Sequence, residues 1–243
     1  MILYLSSIIR YSLVMIWSGV CGFIAFIGAI CDPSGSLFFF ASRVWGTISI
    51  LICNVKINVI GLEKLDPNKQ YVFVSNHASM IDILAVLHVF PKLRLVFKKE
   101  LSYIPIFGWA LYLGEHIFVD RKNPQRAMKS LDLAASKIRS GGNFLLFAEG
   151  TRTRDGNLLP FKRGAFSLAV KAGVPVVPLI INGTFTIIQK GSIIIRPQEI
   201  NLIVDDPIQT EKINSRDEEI GLMNKVREIM ETRYIPQQIP KGA

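Results

Sequence analysis

One stretch limits what this chain can become more than any other. Tyr11–Ile30 is a run of 20 residues with no charged side chain. As a helix it is long enough to cover roughly 30 Å of hydrocarbon. It follows Arg10 and stops at Asp32-Pro33-Ser34-Gly35, a turn sequence. A second apolar run, Ser36–Cys53, is interrupted by Arg43. A charge near mid-membrane costs about 2.5–3.5 kcal/mol on insertion scales, so Arg43 argues against a plain second span.

Three readings of residues 1–55 compete. A cleaved signal needs a small-x-small site, and none follows the apolar core cleanly. Ile30 is not the small residue that a lipoprotein site needs before Cys31. Two true crossings are the second reading. The third is preferred: a helical hairpin held in one leaflet or only partly spanning, with Arg43 snorkelling toward headgroups.

Those first 55 residues contain only Arg10, Asp32 and Arg43 as charges, so nearly the whole net charge of +9 belongs to the remainder. A basic body behind an apolar leader favours anionic partners, and the leader tips the choice to membrane lipids. With no aromatic RNA-binding signature, zinc spacing or helix-turn-helix pattern, nucleic acid is not an expected partner. Cys21, Cys31 and Cys53 form no CxxC pair and read as small apolar residues in a reducing compartment.

From residue 56 onward, apolar periodicity alternates between two and 3.6. Lys56–Ile60, Tyr71–Ser75, Leu93–Phe97, Ile117–Val119, Asn143–Phe147 and Val176–Ile181 read as strands. Ile81–Phe90, the segment from Lys98 to Gly114, and Gly164–Ala172 read as helices. The clearest helix starts at the Asn123 cap with Pro124 in its first turn and ends at Gly141-Gly142. Ser192–Arg196 and Asn201–Val204 are expected to form a closing hairpin. A last helix starts at Ser215 with Glu218 completing a capping box, its apolar face made by Ile220, Met223, Val226, Ile229 and Met230. The expected class is α/β, a largely parallel sheet flanked by helices and preceded by an N-terminal two-helix membrane-anchoring hairpin. Residues 1–55 are the membrane-associated hairpin and residues 56–243 one catalytic domain.

In open sheets of this kind, sites form beyond the C-terminal strand ends. His77 follows YVFVS and Glu149 follows NFLLF, both at such ends. His77 and Asp82 form an H-x4-D pair. A histidine with an ordinary pKa near ~6.5 takes a proton at neutral pH. A carboxylate on its other ring nitrogen selects the tautomer and stabilises the imidazolium. Five residues turn a helix by roughly 140°, so the pair needs a turn at His77 with Asp82 reaching back from the helix start. Ser75 and Ser79 lie in no G-x-S-x-G elbow, and Ser79 reads as a small turn residue.

Four segments carry a resemblance. Asn76–Asp82 (NHASMID), Gly114–Arg121 (GEHIFVDR), Phe147–Arg152 (FAEGTR) and Val174–Pro178 (VPVVP) resemble, in order and spacing, the four blocks of the glycerolipid acyltransferases. They are most similar to those of the 1-acylglycerol-3-phosphate acyltransferases. The resemblance covers roughly residues 56–205. It departs at Ala148, where the third block usually has proline, and at Phe97, where alanine is commoner before the lysine.

What the resemblance implies is acyl transfer from acyl-CoA or acyl carrier protein (acyl-ACP) to the sn-2 hydroxyl of 1-acyl-sn-glycerol 3-phosphate. It implies His77 as base and Asp82 as its orienter. Lys98, Gly114, Arg121, Glu149, Gly150, Arg152 and Pro178 are the substrate-binding residues, with Lys98, Arg121 and Arg152 as phosphate candidates. It implies no cofactor and no metal. Some bacterial members are similarly anchored, which places the catalytic domain on the cytoplasmic side of a bacterial inner membrane. Glycerol 3-phosphate, a lyso-ornithine lipid or another lysophospholipid would need the same base, so the acceptor stays open. A membrane esterase or thioesterase and a catalytically silent lipid-binding protein are the alternatives from other classes.

Overall fold

Alternation of apolar residues at period two, continued on both faces, demands a sheet covered on both sides. The computed structural model, which describes residues 2–32 and 34–237, has that arrangement. Met1, Pro33 of the expected turn and residues 238–243 of the expected catalytic domain lie outside the described residues. Among the described residues there are seven strands: β1 (Lys56–Ile60), β2 (Val72–Ser75), β3 (Leu93–Lys98), β4 (Ile117–Val119), β5 (Asn143–Phe147), β6 (Val176–Asn182) and β7 (Glu199–Val204). They form one sheet in the order β1-β7-β6-β2-β5-β3-β4. Every pairing is parallel except β6 with β7.

The central strands divide their side chains between two cores. Phe73, Leu145, Val177 and Leu179 point to one face, and Val72, Val74, Phe144, Leu146 and Ile180 to the other. The first face is covered by α3 (Ile81–Val89), and outside it lies α2 (Ser36–Cys53), which follows α1 (Ile2–Cys31). Backbones of α2 and α3 approach closely enough that a Cβ on Gly46 would lie 2.8 Å from the Leu84 carbonyl oxygen. The second face is covered by α5 (Pro124–Arg139), α6 (Gly164–Ala172) and α8 (Arg216–Arg233). Helix α5 starts because the Asn123 side chain accepts from the Arg126 N–H at 3.0 Å, a cap worth about 1 kcal/mol. Leu131, Ala134, Ala135 and Ile138 form its buried stripe.

Four features extend or correct the expectations. The first helix begins at Ile2, nine residues before the uncharged run, because Ser7 is buried against the domain. Its hydroxyl donates to the Ile195 carbonyl at 3.2 Å and accepts from the Ile195 N–H at 3.0 Å. That contact explains the second correction. Residues 192–198 are not a strand, since Ile195 packs on α1 and Arg196 donates to the Ile187 carbonyl. No closing hairpin forms; β7 instead inserts between β1 and β6.

Third, the segment after Lys98 is broken. A 3-10 turn covers Lys99–Tyr103, and α4 (Phe107–Leu113) starts only after Pro105. Proline lacks the N–H and pushes Ile104 to an extended conformation, ψ 115°. Fourth, the buried stripe of α8 is Leu222, Val226 and Met230, with Ile220, Met223 and Ile229 at its half-buried margins. The Ser215–Glu218 capping box is present as the sequence predicts.

Candidate active site

Beyond the end of β2 the chain makes a short turn before α3, and polar side chains hold that turn on every side. Asn76, buried, accepts from the Ile181 N–H at 2.8 Å and donates to the Ile181 carbonyl at 2.9 Å, locking the strand end to β6. Ser79 donates its hydroxyl proton to the Ile188 carbonyl at 2.7 Å. It is therefore a turn anchor with its proton already committed.

Asp82 lies in the first turn of α3 and is 0% exposed. Its Oδ2 accepts from the Ala78 and Ser79 N–H groups at 2.7 and 2.8 Å and stands 2.8 Å from His77 Nδ1. The five-residue spacing thus closes as a loop around one carboxylate oxygen. With Nδ1–H donating to Asp82, the His77 Nε2 lone pair is left to act as an acceptor.

The ring is held by more than Asp82. Phe147, at the end of β5, stacks on it with centroids 3.8 Å apart and planes at 11°. The His77 backbone is held on both sides, its N–H donating to Glu149 Oε1 at 2.8 Å and its carbonyl accepting from Thr153 N–H at 2.9 Å. Glu149 Oε2 accepts from Leu159 N–H at 2.9 Å, so one carboxylate ties two loops together. At 3% exposure, burial pushes the Glu149 carboxyl up to about 7; the two amide donors oppose the rise and nearby Asp82 adds to it.

His77 opens onto a cavity of about 670 Å³. Part of its lining is apolar and comes from α1 and α2, including Cys21, Ala25, Phe38 and Trp45. Another part is cationic: Lys98, Arg121, Arg152, Lys162 and Lys190. Except for Arg152, which is half-buried, these cations are exposed and mark the open side. Lys98 is engaged by Glu100 at 3.1 Å, and Arg121 donates to the Gly150 carbonyl. Gly150 has φ +68°, and a Cβ there would lie 3.1–3.3 Å from the Lys162 side chain, so the absent side chain lets Lys162 lie against the loop. Among the described residues, no group of three or more His, Cys, Asp or Glu is placed to hold a metal ion.

The cavity therefore brings together His77, Lys98, Arg121, Gly150 and Arg152 of the expected set, with Asp82 directly behind His77. Three expected residues lie elsewhere. Glu149 faces backbone amides and does not line the cavity. Gly114 ends α4, where a Cβ would lie 2.1 Å from the Phe38 ring, so its role is close helix packing. Pro178 sits within β6 opposite Val74 of β2, and its carbonyl accepts from Asp205 N–H. Sequence reasoning missed Phe147 and Lys190. Register places Phe147 beside Ser75, two residues before His77, a relation visible only once β2 and β5 are paired. Lys190 follows α7 (Thr184–Ile187), and no local pattern singles it out.

A family model described as Acyltransferase matches residues 56–182. A 1-acyl-sn-glycerol-3-phosphate acyltransferase of Cocos nucifera is 35% identical over 179 residues, 71% of this chain. The chain spans 58% of that relative's length. A protein of the same name from Saccharomyces cerevisiae is 31% identical over 238 residues, covering 91% of this chain and 75% of its own. Among solved structures, the 1-acyl-sn-glycerophosphate (LPA) acyltransferase PlsC from Thermotoga maritima superimposes with a TM-score of 0.77 at 25% identity. That match covers 93% of this chain and 95% of the other.

Proposed function

The chain belongs to the acyltransferase family, and on that premise we propose that it moves a fatty acyl group from acyl-CoA or acyl-ACP to the sn-2 hydroxyl of 1-acyl-sn-glycerol 3-phosphate, giving phosphatidic acid. One observation carries the reading. A wholly buried carboxylate holds His77 Nδ1 at 2.8 Å while the same imidazole opens onto a cavity with both apolar and cationic walls. That is the requirement of a substrate with a hydrocarbon chain, a reacting hydroxyl and a phosphate.

In this mechanism His77 Nε2 takes the hydroxyl proton as the oxygen attacks the thioester carbonyl. The tetrahedral intermediate collapses, the carbon–sulfur bond breaks, and the imidazolium returns its proton to the leaving thiolate. Asp82 keeps the ring oriented and stabilises the imidazolium. The incoming hydroxyl is the nucleophile, so no acyl-serine is needed. Arg121 and Arg152 serve the acceptor phosphate, and Lys98 does so if Glu100 yields it.

The apolar helices fit the same reading. Both are long and apolar enough to cross a membrane. However, α2 packs along α3, which leaves one face for lipid, and Arg43 is exposed. In this proposal the hairpin sits in one leaflet, a reading supported by the packing of α2 on α3, with the catalytic domain on the cytoplasmic side and α1 and α2 delivering the lipid chain to the cavity.

The test is a labelled acyl thioester offered alone, then with glycerol 3-phosphate and a panel of lysophospholipids. Transfer to the 1-acylglycerol 3-phosphate is expected, with His77→Ala reducing kcat by about 10²–10⁴-fold while the protein still folds and binds membranes. Rapid thiol release without acceptor would instead identify a thioesterase, and full activity in His77→Ala would end the mechanism.

A further inference from the structure

Two residues of the cavity wall, Thr151 and Lys190, have no part in the mechanism so far. They come from loops far apart in sequence, one after β5 and the other after α7. The second loop is pinned beside the His77 turn, since Ile188 receives the Ser79 hydroxyl bond. From there Lys190 Nζ donates to Thr151 Oγ1 at 3.0 Å.

A hydroxyl has two acceptor lone pairs and one proton. With the ammonium of Lys190 on a lone pair, the Thr151 proton turns away from Lys190 and is free to be donated. The charge balance points the same way. Lys190, Lys162 and Arg152 make no ion pair with any carboxylate among the described residues. Three cations lining one cavity without a counter-charge repel each other, and a dianion between them relieves that repulsion.

We propose that Thr151 and Lys190 form a phosphate subsite, the hydroxyl and the ammonium both donating to the phosphomonoester of the acceptor. The assignment rests on the acyl-transfer reading and extends its phosphate contacts from the third block, which contains Thr151, to the Lys190 loop outside the four blocks. The donor coenzyme also carries phosphates, so the chemistry alone leaves two sources, and the acceptor is the one assigned.

Steady-state kinetics on the full chain separate them, with acceptor and acyl-CoA varied independently for Lys190→Gln, Lys190→Arg and Thr151→Val. Loss of one charge-assisted bond at an exposed position is expected to raise the acceptor KM about tenfold in Lys190→Gln. The acyl-CoA KM and kcat should stay within about twofold, and Lys190→Arg should recover most of the acceptor affinity. An unchanged acceptor KM, or a rise confined to acyl-CoA, overturns the assignment. Titration with glycerol 3-phosphate distinguishes this failure from failure of the reading beneath it. Wild-type protein that binds it more tightly than Lys190→Gln but transfers no acyl group keeps the subsite and removes the acyl-transfer reading. Equal affinity in both proteins, or no binding to wild type, removes the subsite alone.

Discussion

Glu149→Gln keeps the shape of the side chain and tests the idea that Glu149 works through His77. In the wild type both carboxylate oxygens accept backbone N–H bonds, from His77 at 2.8 Å and Leu159 at 2.9 Å. Glutamine keeps one acceptor and turns an NH₂ group toward the other donor. One hydrogen-bond acceptor is lost and one amide is stranded, a cost of about 1–3 kcal/mol. Against this stands the burial of the wild-type charge. The distance from an ordinary carboxyl near 4.5 to about 7 corresponds to about 3 kcal/mol at ~1.36 kcal/mol per pH unit.

The sign follows from linkage. A carboxyl raised on folding binds more protons in the native state between pH 4.5 and 7, so wild-type stability falls as pH rises through that window and then levels off. Glutamine does not titrate. The variant should therefore be less stable than wild type by about 1–3 kcal/mol near pH 4.5, with the gap closing toward pH 8. Thermal unfolding midpoints of both proteins in the same detergent, taken across that range, read the difference. At pH 8 the loosened His77 turn should lower kcat about tenfold or more, with little change in acceptor KM. A gap that does not vary with pH would refute the burial argument. A raised acceptor KM at constant kcat would mean that Glu149 touches the substrate after all.

Other consequences follow from the packing around the site. Gly114→Ala drives a methyl into the Phe38 ring and should cost about 1–3 kcal/mol, lowering the unfolding midpoint without raising the acceptor KM of the protein that remains folded. Phe147→Leu removes the ring stacked on His77, a contact worth about 0.5–1.5 kcal/mol, and should reduce kcat several-fold with both KM values nearly unchanged. Cys31 is exposed beside the hairpin turn while Cys21 and Cys53 are buried. In vesicles carrying the catalytic domain outside, an impermeant thiol reagent enclosed in the lumen should leave Cys31 unlabelled; labelling there would establish two crossings.

Much of this protein is written in short-range pattern. Period-two runs and the Asn123 and Ser215 caps place the strands and the two clearest helices, because those signals act within one turn or one strand. The His77–Asp82 pair is equally local, closing through the amides of Ala78 and Ser79. Contacts between distant segments are a different matter. The alternation in residues 192–196 comes from packing on α1, which no strand pattern distinguishes from a hairpin arm. Only the order β1-β7-β6-β2-β5 sets Phe147 beside His77. Glu149 and Gly114, both substrate-binding candidates by motif, meet backbone amides and a packed aromatic ring and do not line the cavity, since what a residue touches depends on which segments the sheet brings together. Sequence alone therefore determined the elements and the His77–Asp82 pair. Tertiary structure decided which cations share the cavity and which motif residues merely support it, because those relations are made across the fold.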